Sequence, residues 1–147
     1  MSFSKEEYKQ RLKRVQKMMQ DKGIELLISH DTNNMNYLTG YDAWSFYYAQ
    51  CVIIHINADE PMCFVRDQDA GGAYLKTYIK KENIIVYDEH YIHTWPTHPY
   101  DYLVKVIKEK KLNIPVLSSN QALIWDSLES IGKNKAVIGF GKLFNIN

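Results

Sequence analysis

Short apolar runs alternate with helical stripes along almost the whole chain, and this alternation limits the fold more than any other feature. Residues 24–29, 52–56, 62–65, 84–87, 116–117 and 136–138 are apolar runs of strand length, rich in Ile, Leu and Val. Between several of them lie segments with a period near 3.6, each long enough for a helix that buries one face. The second and third runs are separated only by a turn. Asn57-Ala58-Asp59-Glu60-Pro61 separates them and reads as a hairpin turn. Alternating helices and strands with one hairpin predict an α/β domain of three layers, a mixed β-sheet flanked by helices.

The first helix has the clearest boundaries. Ser4-Lys5-Glu6-Glu7 forms an S-x-x-E capping box, with Phe3 and Tyr8 placed as a hydrophobic staple around it. Tyr8, Leu12, Val15 and Met19 then share one face, Lys and Arg take the solvent side, and Gly23 supplies a left-handed stop, so a helix is expected over 5–22. Further helices are expected over 69–81, over 99–111 with Tyr100, Leu103 and Ile107 inward, and from Asn120 to Gly132. The lysines at 105–111 read as a solvated helix end suited to the dipole. Residues 1–139 make one domain on this reading, and 140–147 form a tail.

Composition excludes several classes. Apolar residues are 46% and charged residues 24%, as in a folded globular chain, and the formal net charge of +1 gives no global attraction to nucleic acid or an anionic membrane. The N-terminus has no signal-peptide core and no run of eighteen apolar residues occurs, so a cytoplasmic location is expected. Cys51 and Cys63 are the only cysteines. If Ile56 pairs with Pro61, Cys63 lies opposite Ile54 and Cys51 points to the other face, which predicts two buried free thiols rather than a disulfide.

One segment fits neither period well. Residues 33–50, NNMNYLTGYDAWSFYYAQ, hold six aromatic side chains and three asparagines among eighteen positions.

Other candidate chemistry is weaker. His90, His93 and His98 give H-x2-H-x4-H beside Asp88 and Glu89, a set zinc accepts. The stretch reads as a loop before Pro96 and Pro99, so histidines touching substrate or solvent are expected there, with no metal site. Gly71-Gly72 and Gly139-Phe140-Gly141 match no nucleotide-binding fingerprint, and no Ser or Cys sits in a nucleophile elbow. No catalytic residue is assigned. Arg66 stands where a strand runs out into a loop, a favoured ligand position for a group that grips carboxylates with two parallel bonds. Spacing leaves open the alternative of an internal pair with Asp67 or Asp69.

Asn34-Met35-Asn36-Tyr37-Leu38-Thr39-Gly40-Tyr41 resembles the N-x-x-Y-L-T-G-Y signature of the N-terminal domain in creatinases, prolidases and related Xaa-Pro peptidases. The opening E-E-Y-x-x-R-L helix, the Gly-Ile-x-x-Leu-Leu strand, the hairpin and V-R-D-Q-D-A follow in the same order. Residues 41–50, 66–73 and 83–103 are most similar to the ectoine-hydrolase branch. The resemblance covers about residues 3–139 and implies a small mixed-sheet domain placed before a larger catalytic one. In most members that larger domain binds two divalent metals; residues 1–147 contain nothing like its D…D…H…E…E set. The resemblance therefore implies a chain without its own catalytic groups or cofactor. Its expected role is to gate a small carboxylated substrate and contact the partner subunit of a homodimer, with no nucleic acid or membrane partner.

By resemblance, Trp44 and Phe46 approach the partner's active site, Arg66 matches the arginine that grips the substrate carboxylate, and His90 and His93 lie on the same rim. Tyr37, Leu38 and Tyr41 are expected to pack, and Thr39-Gly40 to turn the chain. The residues after the last strand do not resemble the family's continuation, which favours a natural truncation over a cut domain. A freestanding binding or regulatory module, self-associating or docking on a full-length homologue, is the other expectation.

Overall fold

In the computed structural model, residues 2–42 and 47–110 are described. By internal packing the chain forms two units, Met1–Lys111 and Leu112–Asn147, and every described residue belongs to the first. The expected strands at 116–117 and 136–138 and the helix from Asn120 lie outside the described residues. Among the described residues, no helix is long and apolar enough to cross a membrane.

Four strands, β1 (Leu26–Ser29), β2 (Cys51–His55), β3 (Met62–Arg66) and β4 (Ile84–Tyr87), form one sheet in sequence order. The first three run antiparallel to their neighbours, and β4 lies parallel to β3, so the sheet is mixed. A parallel partner needs a crossover, which the helix α3 (Asp67–Lys76) and the turn after it provide. The C-terminal ends of β1, β3 and β4 and the start of β2 consequently share one edge of the sheet.

Strand alternation divides the core. Val52, Ile54, Cys63, Val65 and Ile84 face helices α1 (Lys5–Asp21), α2 (Thr32–Thr39) and α3, and bury Tyr8, Leu12, Met19, Met35, Leu38 and Ala73 against them. On the other face Phe64 stacks on Tyr87 at 4.8 Å between ring centroids and meets Tyr100 of α5 (Pro99–Glu109) at 6.3 Å. Leu103 and Ile107, the expected inward positions of α5, are buried. The expected α/β class with a mixed sheet between helices holds.

Several local expectations hold, and others shift for identifiable reasons. Ser4 caps α1 by accepting from the Glu7 amide at 3.2 Å, Phe3 and Tyr8 meet edge to face, and Gly23 has φ of 66°. Arg11, expected in solvent with the other basic residues of α1, is buried instead. Its guanidinium lies 4.1 Å from the Phe3 ring and 4.6 Å from the Tyr37 ring, and it donates to the Tyr37 carbonyl at 3.1 Å. With Tyr8 of α1 also 5.2 Å away, rings on two helices and one just before α1 turn a surface cation into packing.

The hairpin register differs from expectation by two residues: Cys63 pairs with Val52, not Ile54. The turn starts early, because the Ala58 amide bonds the His55 carbonyl and the Gln16 side chain of α1 donates to the carbonyls of both His55 and Ala58. A slip of two preserves the faces, so Cys51 and Cys63 are buried free thiols on opposite sides, as expected. Burial pushes the Cys63 thiol up to about 12 and also raises Cys51 well above its ordinary value, with Cys63 adding to the effect.

Candidate functional site

The segment read as irregular begins as a helix. Asp31 caps α2 by accepting from the Asn34 amide at 3.0 Å, and Met35, Leu38 and Thr39 turn inward. Thr39 Oγ1 donates to the Met35 carbonyl at 2.6 Å and accepts from the Tyr41 amide at 3.0 Å, while Gly40 ends the helix at φ of 81°. The L-T-G-Y signature is thus a helix terminus and its return into the core. Leu38 and Tyr41 are buried as expected; Tyr37 is exposed, its ring against Arg11. Trp44 and Phe46 lie outside the described residues. On one side of them Asp42 pairs with Lys76 at 3.0 Å, and on the other the rings of Tyr47 and Tyr48 meet at 4.9 Å.

Arg66 ends β3 at the shared edge of the sheet and occupies the position before α3. It is only 8% exposed. Its Nε lies 3.3 Å from Asp69 Oδ2 and 3.5 Å from Glu89 Oε1, and its guanidinium stands 3.8 Å from the centre of the Tyr48 ring. The internal pair that spacing left open is therefore made, with Asp69 and not Asp67 as its near partner in sequence. Burial works against the charge on Arg66, but Asp69, Glu89 and a hydrogen bond with Tyr48 outweigh it and hold the guanidinium above its ordinary value. Neither carboxylate contact is a well-formed hydrogen bond. Arg66 Nε and Glu89 Oε1 are both buried without a hydrogen-bond partner, and so is the Tyr87 hydroxyl.

Tyr87 pairs with Arg66 across the β3–β4 ladder and is fully buried. Burial raises its hydroxyl, and Glu89 adds to this against the opposing effect of Arg66. Tyr41 is pushed to about 12 by burial and then by Asp69. One guanidinium, two acids and three phenol rings consequently make up a single strand-end cluster.

The histidines separate by role. Asp88 Oδ1 accepts from the His90 amide and from its ring Nδ1, both at 2.8 Å, and these bonds, the backbone one first, lower the Asp88 carboxyl. His90 and His93 bound a single helical turn, α4 (His90–His93), which replaces the expected loop; the His93 side chain lies outside the described residues. His98 caps α5: its Nδ1 accepts from the Tyr100 amide at 3.2 Å, and Asp101 accepts from the His98 amide at 2.9 Å. Among the described residues no three His, Cys, Asp or Glu side chains are placed to hold a metal ion.

Sequence reasoning named Asp69 as a possible partner of Arg66 but passed over Tyr48 and Glu89 beside it, and also His30, whose Nδ1 lies 2.9 Å from the Tyr100 hydroxyl. The i,i+3 spacing of Arg66 and Asp69 was a usable signal. Nothing in the sequence brings Glu89 to Arg66, because only the parallel β3–β4 pairing does so. A separate apolar cavity of about 400 Å³, lined by Val15, Met19, Leu27 and Tyr37 among others, includes none of these residues.

The creatinase/prolidase N-terminal domain model matches residues 11–142. Ectoine hydrolase of Halomonas elongata is 41% identical over 107 residues, covering 73% of this chain and 27% of that protein. An uncharacterized hydrolase/peptidase of Sinorhizobium fredii is 38% identical over 107 residues, with the same coverage of 73% and 27%. The chain thus spans 27% of the length of the first curated relatives it matches. The N-terminal domain of an Xaa-Pro dipeptidase from Lactobacillus brevis superposes with a TM-score of 0.58 at 14% identity, over 70% of each chain, a likeness of fold alone. A sheet with this order, the signature at the end of α2 and these matches have one reading: the chain belongs to the creatinase/prolidase N-terminal domain family of hydrolases.

Proposed function

We propose that this domain gates substrate for a hydrolase of C–N bonds in small carboxylated molecules, and that it contacts a partner subunit while contributing no catalytic group. An Xaa-Pro dipeptide, creatine or a cyclic amidine such as ectoine belongs to that substrate class. The observation that carries the reading is Arg66, a nearly buried cation at the C-terminal end of a parallel strand pair, with the Tyr48 ring against its guanidinium and ion-pair contacts to Asp69 and Glu89 that are not well-formed hydrogen bonds. By the family resemblance, Trp44, Phe46, His90 and His93 are the further residues assigned to substrate contact. Divalent metal belongs to the catalytic domain of most family members, and the described residues offer no ligand set for it.

In an enzyme carrying this domain ahead of a catalytic one, Arg66→Ala is expected to lower kcat/KM about tenfold or more. That is the loss of a charge-assisted hydrogen bond to a buried carboxylate, about 1.5–3 kcal/mol. Arg66→Lys keeps the charge and controls for the two acids left unpaired. Unchanged kinetics in both variants would remove Arg66 from the site. A second reading, a freestanding module that self-associates or docks on a full-length homologue, has support from Trp95, which is 93% exposed in the turn after α4. Size-exclusion chromatography over a concentration series tests it: a mass that stays monomeric throughout counts against self-association.

A further inference from the structure

We infer that β1 is a pairing edge for a second copy of this chain. Two β1 strands join antiparallel about a two-fold axis through Leu27, and the apolar grooves beside them close on each other. This rests on the self-association reading above and gives it a surface, two strands away from the one that carries Arg66.

The strand edge argues first. β1 stands at the end of the sheet and, among the described residues, pairs with β2 alone. The Ile56 amide donates to the Glu25 carbonyl at 2.9 Å, so Glu25, Leu27 and Ser29 turn their main-chain groups toward β2. By the alternation of an antiparallel ladder, the amides and carbonyls of Leu26 and Ile28 point outward. Nothing in Leu26–Ser29 blocks that edge: it holds no proline and no charged side chain, and its register with β2 has no bulge.

The groove argues second. The apolar cavity of about 400 Å³ is lined by both Leu27 and Ile28, neighbours that face opposite sides of the sheet. It therefore runs along the outer edge of β1 and not beneath one face. On its walls Met18 is 60% exposed and Tyr37 43% exposed. An unpaired strand beside an apolar groove fits another extended apolar strand, which takes up the main-chain bonds and fills the groove with alternate side chains.

Charge selects a second copy and its register. A two-fold contact sets the two ends of β1 against each other. The outward groups allow Leu26 to pair with Ile28 of the second copy, or Ile28 with Ile28. The latter sets Glu25 opposite Asp31 of the second copy, two carboxylates face to face. The former sets Glu25 opposite Ser29, a hydroxyl able to donate, whose oxygen accepts from Asn34 Nδ2 at 3.0 Å. It also brings Lys22, at the end of α1, beside Asp31 of the second copy. Leu27 then meets Leu27 on the axis.

The test uses the 147-residue chain. Sedimentation over a concentration series is expected to show the mass rising from one chain to two. Ile28→Pro removes an outward amide where an edge strand tolerates proline, and is expected to hold the mass at one chain over the same range, with far-UV dichroism checking the fold. Across such a pair the Leu27 Cα atoms stand about 4.5 Å apart, within disulfide reach. Mild oxidation is therefore expected to link Leu27→Cys chains about tenfold or more faster than chains with Glu82→Cys, an exposed position before β4. A native dimer that persists in Ile28→Pro, links Leu27→Cys no faster than Glu82→Cys and dissociates with Trp95→Ala would overturn this edge and leave self-association through Trp95. A chain monomeric at every concentration, with no faster linking of Leu27→Cys, would overturn both. A saturable shift of the Met18 and Tyr37 signals with anilinonaphthalene sulfonate in that monomer would assign the groove to an apolar ligand instead. Where one variant does not fold, the other decides.

Discussion

Two glycines, Gly23 and Gly40, take left-handed conformations, but their surroundings differ. A Cβ on Gly23 would meet nothing within 4 Å, whereas one on Gly40 would stand 3.0 Å from the Tyr8 hydroxyl and 3.1 Å from the Lys76 carbonyl. Gly23→Ala is therefore expected to cost about 1–2 kcal/mol, the steric cost of the left-handed region alone. Gly40→Ala adds the displacement of packed atoms, including backbone, and is expected to cost about 2–4 kcal/mol. Urea midpoints of the two variants check this; equal shifts would mean that the approach of Tyr8 to Gly40 is not tight. The sequence marked both as turn positions through their places after a helical stripe and after Thr39. It did not distinguish them, because the atoms that crowd Gly40 come from α1 and from the end of α3.

At the scale of elements, α2 and α3 show how length and context set a helix. The eight residues of α2 make barely two turns, too few for a period to stand out, and the helix depends on its ends. Asp31→Ala is expected to cost about 1 kcal/mol through loss of the cap, and amide exchange in residues 32–39 should accelerate accordingly. An unchanged exchange rate would show that packing of Met35 and Leu38 suffices. Helix α3 begins at Asp67 and stops at Lys76, against an expected 69–81. It stops because Tyr78 leaves the helix to stack on Tyr8 at 5.3 Å and Glu60 accepts from the Lys80 amide at 3.1 Å. Within α3, Gly71 is exposed with open space around a Cβ, so Gly71→Ala is expected to stabilise by about 0.5–1 kcal/mol. A lower urea midpoint would contradict this.

For the whole molecule, buried phenols couple folding to alkaline pH. Burial pushes Tyr41, Tyr78 and Tyr100 to about 12 and raises Tyr87 as well. A raised pKa means that the folded state keeps a proton the unfolded chain has released. The contribution is therefore complete below the ordinary tyrosine value of 10.0 and is lost as pH rises through the folded values near 12. Stability should fall by about 1.4 kcal/mol per pH unit for each such tyrosine once the unfolded chain ionises. Urea midpoints flat from about pH 8 to about pH 11 would show that these hydroxyls titrate freely. Sequence by itself determined which segments are helix or strand in most of the first hundred residues, the faces of the two cysteines and the family signature. These depend on period and local turn chemistry, which neighbours in the chain supply. Tertiary structure alone decided the hairpin register, set by Gln16 reaching from α1, and the burial of Arg11 between rings of two helices. It also decided that Glu89 meets Arg66. Each of these contacts joins residues distant in sequence, and only closure of the β3–β4 pair and the helical layer brings their charges and rings within reach.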